Sequence, residues 1–306
     1  DEEDIDNAIH HAQAANDIGQ VVEILEKNWQ SLVHRGELTK MKQLMDGLGP
    51  GITRKSAPLS MAYCWFYNLT RSPGAIPEHI QDIREIWQKK SPEEYARLPI
   101  HLAVIPSLVE TMEAVVALED NEAEKAKDHA KQAIELIPED PNPATRGLLH
   151  GAAGFRLAQA HAELGENERA CAVLVEILDM LKNSKNYVGV ANTIYQLVII
   201  YQQTNQLHQA VTLCEDSLVF IEQHEWDHMP PSGMVYLILA ELMADSGKFD
   251  RANTNFEIGQ RLVEPMKSPR IQELLGRVEE KLRDTTQLIQ SLVEPLSERE
   301  IEVLQL

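Results

Sequence analysis

Hydrophobic positions along the chain recur with the spacing of an α-helix. From about Asp4 to Leu306, apolar residues fall at positions i, i+3, i+4 and i+7, which places them on one face of a helix. No segment alternates between apolar and polar residues for long enough to indicate a strand. Proline and glycine interrupt the pattern at residues 49–51, 72–74, 138–143 and 230–231. The pattern predicts an all-α protein of helices joined by short turns.

Four of the predicted turns share one sequence form. Each begins with Asn or Gly and has an alanine five positions later, and the four first residues are 44, 40 and 42 positions apart: Asn121, Gly165, Asn205 and Gly247. Asn and Gly tolerate the left-handed backbone that ends many helices. A small residue after the turn lets two antiparallel helices approach closely. The constant spacing therefore indicates a repeat of helical hairpins.

The first third of the chain is less regular. Residues 35–38 and 73–76 resemble the same turn, but neither has an alanine five positions later. We predict irregular helical hairpins over residues 1–101 and regular repeats over residues 102–290. Residues 291–306 are predicted to form a linker and the first helix of a further module.

The regular repeats resemble tetratricopeptide repeats, although their period of 40–44 residues is longer than the usual ~34. This resemblance implies an α-solenoid, a superhelix of stacked hairpins. Residues 8–48, 117–140 and 157–178 also resemble the repeat region of the large ATP-dependent LuxR-type transcriptional activators, the MalT-like family. The resemblance covers nearly all of the chain.

The last residues resemble the opening of a LuxR-type helix-turn-helix. Ser297 and Glu300 also match a capping box, the usual start of a helix. The resemblance assigns six residues to the start of a DNA-binding module: Leu296, Ser297, Arg299, Glu300, Val303 and Leu304. A helix-turn-helix reads bases with its second helix, and the sequence ends before one. We therefore expect no direct DNA binding by this chain, and we expect it to be a piece of a longer protein.

In this family, ATP belongs to an N-terminal nucleotide-switch module. No G-x-x-x-x-G-K-[ST] phosphate loop occurs in the sequence. We therefore expect no cofactor in this chain, and ATP is implied only for a module outside it.

The net charge of −20 and the pI of about 4.9 argue against binding of DNA or anionic lipid by the bulk surface, because an acidic surface repels phosphate.

Cys64, Cys171 and Cys214 are isolated, so we predict free thiols, with Cys171 and Cys214 buried, and a cytoplasmic protein. The aromatic run over residues 63–67 is predicted to pack in the core. No apolar run is predicted to approach the ~20 residues that span a bilayer.

One segment has the form of a zinc-protease motif. His224, Glu225 and His228 fit H-E-x-x-H, in which two histidines hold zinc and the glutamate acts as base. The motif must lie within a helix, but Pro230 and Pro231 follow at once, so we predict a solvated loop. Glu241 is a conceivable third ligand. A zinc hydrolase is thus a remote alternative, and the chain is predicted not to be an enzyme.

The first helix of each hairpin lines the inner wall of such a superhelix. This places amides, a carboxylate and two aromatic rings on the wall, a surface suited to a polar small molecule such as a sugar, or to an extended peptide. An ordinary solvated face is the alternative. The residues are Phe155, Gln159, Glu163, Asn192, Tyr195, Gln202 and Gln203.

The function that these observations predict is inducer sensing, self-association or both, in a regulatory repeat domain of a bacterial LuxR-family regulator. A stand-alone scaffold that docks a protein partner is the alternative.

Overall fold

The computed structural model of the chain describes residues 2–34, 37–89, 94, 98–139, 143–184, 186–266 and 269–293. Within these ranges it contains helices and turns but no strand. The chain divides into two compact units, residues 1–193 and 194–306. The all-α prediction is confirmed. The boundary expected between residues 101 and 102 stays a prediction.

The first unit begins with helices α1 to α6, and a 3-10 turn, Pro73–Ala75, precedes the last of these. Their bounds are α1 Glu2–Ala14, α2 Ile18–His34, α3 Leu38–Leu48, α4 Pro50–Thr53, α5 Ala57–Leu69 and α6 Ile76–Trp87. The unit continues with α7 Ile100–Ala103, α8 Ile105–Glu119, α9 Ala123–Glu135, α10 Pro143–Glu163 and α11 Asn167–Asn183.

Helix α12, Tyr187–Gln203, spans the boundary between the units. The second unit continues with α13 Leu207–Gln223, α14 Pro230–Asp245, α15 Phe249–Val263 and α16 Pro269–Val293.

The four predicted repeat turns have the expected backbone. Asn121, Gly165, Asn205 and Gly247 have φ values of 60°, 76°, 57° and 72°. In each turn the next residue donates its N–H to a carbonyl five residues earlier, for example Gln206 N to Tyr201 O at 2.7 Å. This is the Schellman pattern that ends helices. The alanines five positions after the turn residues are fully buried: Ala126, Ala170, Ala210 and Ala252.

The irregular N-terminal third uses the same turn with larger residues. Asn16 and Arg71 both have a φ of 54°, and the following residues donate to Ala12 O and Tyr67 O. Five positions after the turn residues stand Val21 and Ile76, both buried. The turn predicted at residues 73–76 therefore begins at Arg71. The predicted pattern missed both turns because it required an alanine five positions after the turn residue. Arg35 and Gly36, in the other predicted turn, lie outside the described residues.

The core of the first unit joins α1, α2, α3, α5, α6 and α8. Large apolar side chains from these helices are fully buried, among them Leu25, Met41, Leu59, Ile83 and Met112. Of the aromatic run, Tyr63 is buried, whereas Trp65, Phe66 and Tyr67 are half-buried and pack against the core. The prediction that this run packs in the core is confirmed, although three of its rings are half-buried at the edge of that core.

One helix region corrects the prediction about membrane spans. Residues 101–119 are long and apolar enough, by length and composition alone, to cross a bilayer, and their apolar window has a mean hydropathy of 1.5. More than half of the apolar window, 56%, is buried inside the structure, and Leu108 and Met112 are fully buried in the first-unit core. The apolar sequence is thus accounted for by packing.

Glycines set the distance between α10 and α11. A Cβ built on Gly151 or Gly154 lies 2.6–2.7 Å from a side chain of α11, and a Cβ built on Gly147 lies 2.6 Å from the side chain of Ser184, the residue that follows α11. These glycines follow one face of α10, and real Cβ atoms do not approach so closely. The hairpin therefore depends on residues without a side chain at these positions.

In the second unit, α14 is the central helix. Its residues from Pro231 to Ala244 are buried except for Tyr236, and it packs against α13, α15 and α16. A Cβ on Gly233 would lie 2.8 Å from the carbonyl oxygen of Gly259 in α15. Helices α14 and α15 therefore meet backbone to backbone.

The cysteines are free thiols. Cys64 and Cys214 are buried, and burial raises the pKa of Cys214 to about 12. Cys171 on α11 is only half-buried, which corrects the expectation that it is buried.

Candidate ligand-binding surface

The predicted ligand residues lie on α10 and α12, the first helices of two successive hairpins. None of them is in the core: Glu163 and Gln203 are exposed, and the other five are half-buried. Phe155 and Tyr195 each stand ten residues before the turn residue of their hairpin, so the two rings occupy equivalent positions. Phe155, Gln159, Glu163 and Asn192 belong to the first unit, and Tyr195, Gln202 and Gln203 to the second.

Arg156 connects the predicted residues of α10. Its guanidinium carbon lies 5.4 Å from the centroid of the Phe155 ring. Its Nη1 donates to Gln159 Oε1 at 2.6 Å, and its Nη2 donates to Asn68 Oδ1 of α5 at 3.1 Å. The first unit therefore presents a half-buried polar group of one guanidinium, two amides and one ring. Sequence reasoning missed Arg156 and Asn68, although a cation beside Phe155 on an apolar helix was a signal.

The other two first-unit residues differ from this group. Partial desolvation of the carboxyl group, and then the like charge of Glu119, raise the pKa of Glu163. Asn192 donates its amide to Val188 O of its own helix at 3.0 Å. Glu163 also borders an open cleft of about 390 Å³, whose other lining residues are Asn121, Glu122, Ala123, Glu124, Lys125 and Leu164.

Tyr195 in the second unit joins a network of charged residues. Its hydroxyl oxygen accepts a hydrogen bond from Arg277 Nη2 at 3.3 Å. Arg277 also donates to both carboxylate oxygens of Glu241, from Nε at 3.0 Å and from Nη2 at 3.2 Å. Lys281 Nζ lies 3.2 Å from Glu241 and 2.7 Å from Asp245. The network links α12, α14 and α16. Gln202 and Gln203, the other two predicted residues of this unit, stand at the end of α12.

Glu241 is the buried member of this network, with 9% of its surface exposed. Burial alone would raise the pKa of its carboxyl group, but the hydrogen bond from Arg277 and the charges of Lys281 and Arg277 outweigh burial and lower it. The hydrogen bond to Glu241 raises the pKa of Arg277. The ion pair is thus held in its charged form.

The H-E-x-x-H segment lacks the helical geometry that the zinc motif requires. Helix α13 ends at Gln223, and Glu225 has a φ of 59°, so His224 and His228 do not share a helix face. His224 Nδ1 lies 2.8 Å from Phe220 O, and Glu241 is paired with Arg277. Among the residues that the structure describes, no three His, Cys, Asp or Glu side chains are grouped to hold a metal ion. The loop prediction is confirmed, apart from Trp226, which is buried.

The predicted start of a DNA-binding module, Leu296, Ser297, Arg299, Glu300, Val303 and Leu304, lies outside the described residues.

Comparison with known proteins agrees with this architecture. The crystal structure of the apo form of RapI has a TM-score of 0.57 to this chain at 10% identity, covering 88% of this chain and 74% of that one. This likeness shows the fold. The chain is a helical-repeat protein of the tetratricopeptide type.

Residues 108–278 match the family described as the MalT-like TPR region, and the chain belongs to this family. The HTH-type transcriptional regulator MalT of Vibrio parahaemolyticus is 23% identical over 274 residues, which are 89% of this chain and 29% of that protein. MalT of Yersinia enterocolitica is 20% identical over 245 residues, or 80% and 26%. The chain thus spans less than a third of the length of these curated relatives. The resemblance read from the sequence is confirmed.

Proposed function

We propose that this chain is the ligand-sensing repeat region of a bacterial, cytoplasmic LuxR-type transcriptional activator. A small molecule or an extended peptide binds the first helices of the hairpins and controls self-association of the parent protein. DNA binding belongs to a module that follows the repeats, and ATP binding to one that precedes them. The family match supports the regulatory role.

The observation that carries the ligand proposal is the pair of half-buried polar groups around Phe155 and Tyr195. Each combines an aromatic ring with an arginine whose hydrogen bonds reach a second helix, Asn68 on α5 or Glu241 on α14. A ligand bound at either group contacts side chains that hold neighbouring helices of that unit together. It therefore favours one arrangement of those helices, and differential affinity for two arrangements is what shifts a conformational equilibrium.

A thermal-shift screen of the chain against sugars, metabolites and short peptides tests this function. A specific ligand is expected to stabilise the fold increasingly with its concentration, by ~2.7 kcal/mol at a hundredfold excess over its Kd. The double variant Gln159→Ala/Tyr195→Phe is expected to weaken the response. Gln132→Ala/Gln209→Ala, which changes two exposed residues on second helices, is the matched control.

Sedimentation with and without the ligand then measures self-association. A well-folded chain that gives no response to any compound would reject ligand sensing by the repeats and favour the scaffold alternative. A response that is equal in both double variants would place the ligand elsewhere.

A further inference from the structure

Arg156 joins two helices of the first unit that are not packed against each other. Its Nη2 donates to Asn68 Oδ1 at 3.1 Å, so that α10 holds a residue of α5 that lies 88 positions earlier. Helix α8 packs against both α5 and α10, whereas α5 and α10 are not packed along their lengths in the described part of the chain. These three are the first helices of successive hairpins. The hydrogen bond therefore skips one hairpin and ties the irregular N-terminal third to the regular repeats.

The helix that this bond skips is covered on its inner side. Glu110 of α8 contacts a histidine of α9, and Glu113 contacts an arginine of α6, so this side of α8 faces the second helices. Leu108 and Val115 lie on the opposite side of α8 and are buried. They belong to a core cluster that includes residues of α5 and Leu149 of α10. The two helices that the bond joins thus also help to cover α8.

The geometry of Arg156 suits it to this bridge. A guanidinium carries donors at both ends of a rigid plane. One end, Nη1, donates to Gln159 Oε1 within α10 at 2.6 Å, while Nη2 reaches Asn68 on α5. The ring of Phe155, 5.4 Å from the guanidinium carbon, holds the plane from the side. Arg156 is therefore fixed to its own helix before it reaches α5.

The second unit contains a similar bridge. Arg277 of α16 donates to Tyr195 of α12 at 3.3 Å, and α12, α14 and α16 are again the first helices of successive hairpins. The middle helix, α14, is buried from Pro231 to Ala244 except for Tyr236. In both units an arginine thus reaches past a largely buried first helix. The recurrence indicates a feature of the repeat.

We propose that the Arg156–Asn68 hydrogen bond is a strap that keeps the first unit closed over α8. When the strap breaks, α5 and α10 separate and the covered side of α8 becomes accessible. A single hydrogen bond makes a small net contribution to stability, so the strap shifts an equilibrium between closed and open arrangements without deciding whether the unit folds.

The strap goes beyond the proposed function, because it acts whether or not a ligand binds. One step alone rests on that function. A ligand that takes over the contacts of Phe155 or Gln159 competes with Arg156 for them, and it therefore favours the open arrangement.

Thiol labelling of the folded chain measures the opening. Val115→Cys, a change that nearly conserves volume, places a probe on the covered side of α8. The chain is treated with iodoacetamide in native buffer, and peptide mass spectrometry gives the rate at each cysteine. Cys64, which is buried on α5 in the same unit, reports general loosening of that unit. If Val115→Cys does not fold, Leu108→Cys on the same side of α8 replaces it.

Strap variants are compared in this background. We expect Asn68→Ala and Arg156→Lys to raise the labelling rate at residue 115 by roughly three- to tenfold, the effect of one lost hydrogen bond, with little change at Cys64. Asn68→Asp keeps the acceptor and adds a charge, so its rate should be at or below that of the parent. Asn28→Ala is the matched control, because this half-buried amide donates within its own helix, to Ile24 O.

Unchanged labelling at residue 115 in both Asn68→Ala and Arg156→Lys would overturn the strap. An increase of equal size at Cys64, or in Asn28→Ala, would overturn it too, because the unit would then have loosened as a whole. The proposed function is judged separately by the thermal-shift screen, so a ligand that depends on Gln159 and Tyr195 would survive each of these results.

Discussion

Asn205 shows how a single residue ends a helix in this fold. Its φ of 57° lies in the left-handed region, which costs most L-residues about 1–2 kcal/mol. Asn and Gly occupy this conformation at all four regular turns, at residues 121, 165, 205 and 247. The left-handed backbone of the regular turns therefore explains why Asn or Gly stands at these positions.

Replacing Asn205 tests this requirement. Asn205→Gly is expected to leave the free energy of unfolding nearly unchanged, whereas Asn205→Val is expected to lower it by about 1–2 kcal/mol. Urea denaturation measures both. Gln206→Val, at a neighbour with a φ of −103°, is the control. An equal loss in both valine variants would show that the backbone conformation is not the cause.

His79 is a residue whose charge the fold disfavours. Its ring stacks on Tyr63 with centroids 4.8 Å apart, and its buried Nδ1 has no hydrogen-bond partner. Burial lowers its pKa below the ordinary 6.5, although Asp82 and Glu78 act in the opposite direction. The folded state thus binds this proton less readily than the unfolded state.

Stability is therefore expected to fall as the pH drops below 6.5, because the unfolded state then takes up the proton that the folded state resists. Burial also lowers the pKa of His101 and His150. The pH dependence of the unmodified chain alone therefore does not separate the effect of His79 from theirs. His79→Phe keeps a stacked ring, and its unfolding free energy should vary less between pH 7.5 and pH 5.5. A pH dependence identical to that of the parent would assign the effect to other groups.

At the scale of helices, glycines decide how closely the hairpins pack. Gly233 and Gly259 place α14 and α15 in backbone contact, and three glycines of α10 lie against the side chains of Ser184, Leu181 and Ile177. A glycine inside a helix is otherwise unfavourable by about 0.5–1 kcal/mol relative to alanine. Close helix packing therefore offsets a local preference.

Two alanine substitutions separate these effects. Gly233→Ala is expected to destabilise the fold by about 1–3 kcal/mol, because the new methyl group meets the Gly259 carbonyl and Leu262. Gly276→Ala in α16 meets nothing within 4 Å and is expected to stabilise it by about 0.5–1 kcal/mol. Thermal and urea unfolding measure both changes. Stabilisation by Gly233→Ala would contradict the close contact.

At the scale of the whole chain, the charge of −20 governs long-range interactions. An acidic surface repels the phosphate backbone, which supplies most non-specific affinity for DNA.

The chain is accordingly expected to bind duplex DNA more weakly than a Kd of about 100 μM at 0.15 M salt, the weak end of ordinary non-specific binding. Fluorescence anisotropy with a labelled duplex of random sequence measures this, with a basic DNA-binding protein as the positive control. Binding that is tighter and weakens with added salt would reveal a basic surface that the charge balance conceals.

The sequence by itself determined the helices, the repeat turns and the buried alanines. These depend on local rules: the helical period of the apolar residues, the left-handed tolerance of Asn and Gly, and the small volume of Ala126 or Ala210. Where a turn used other residues, as at Arg71, the local rule was too weak to reveal it. The loop character of the H-E-x-x-H segment, in contrast, was predictable from Pro230, because a proline ends the helical pattern locally.

Only the tertiary structure decided which polar groups meet. Arg156 and Asn68 are 88 positions apart, and Arg277 is 36 positions from Glu241 and 82 from Tyr195. No local preference pairs residues at such separations, because the packing of whole helices sets their distance. The proposed ligand surface on α10 and α12 stays a prediction from the sequence, whereas the hydrogen bonds of the two arginines beside it were found only in the fold.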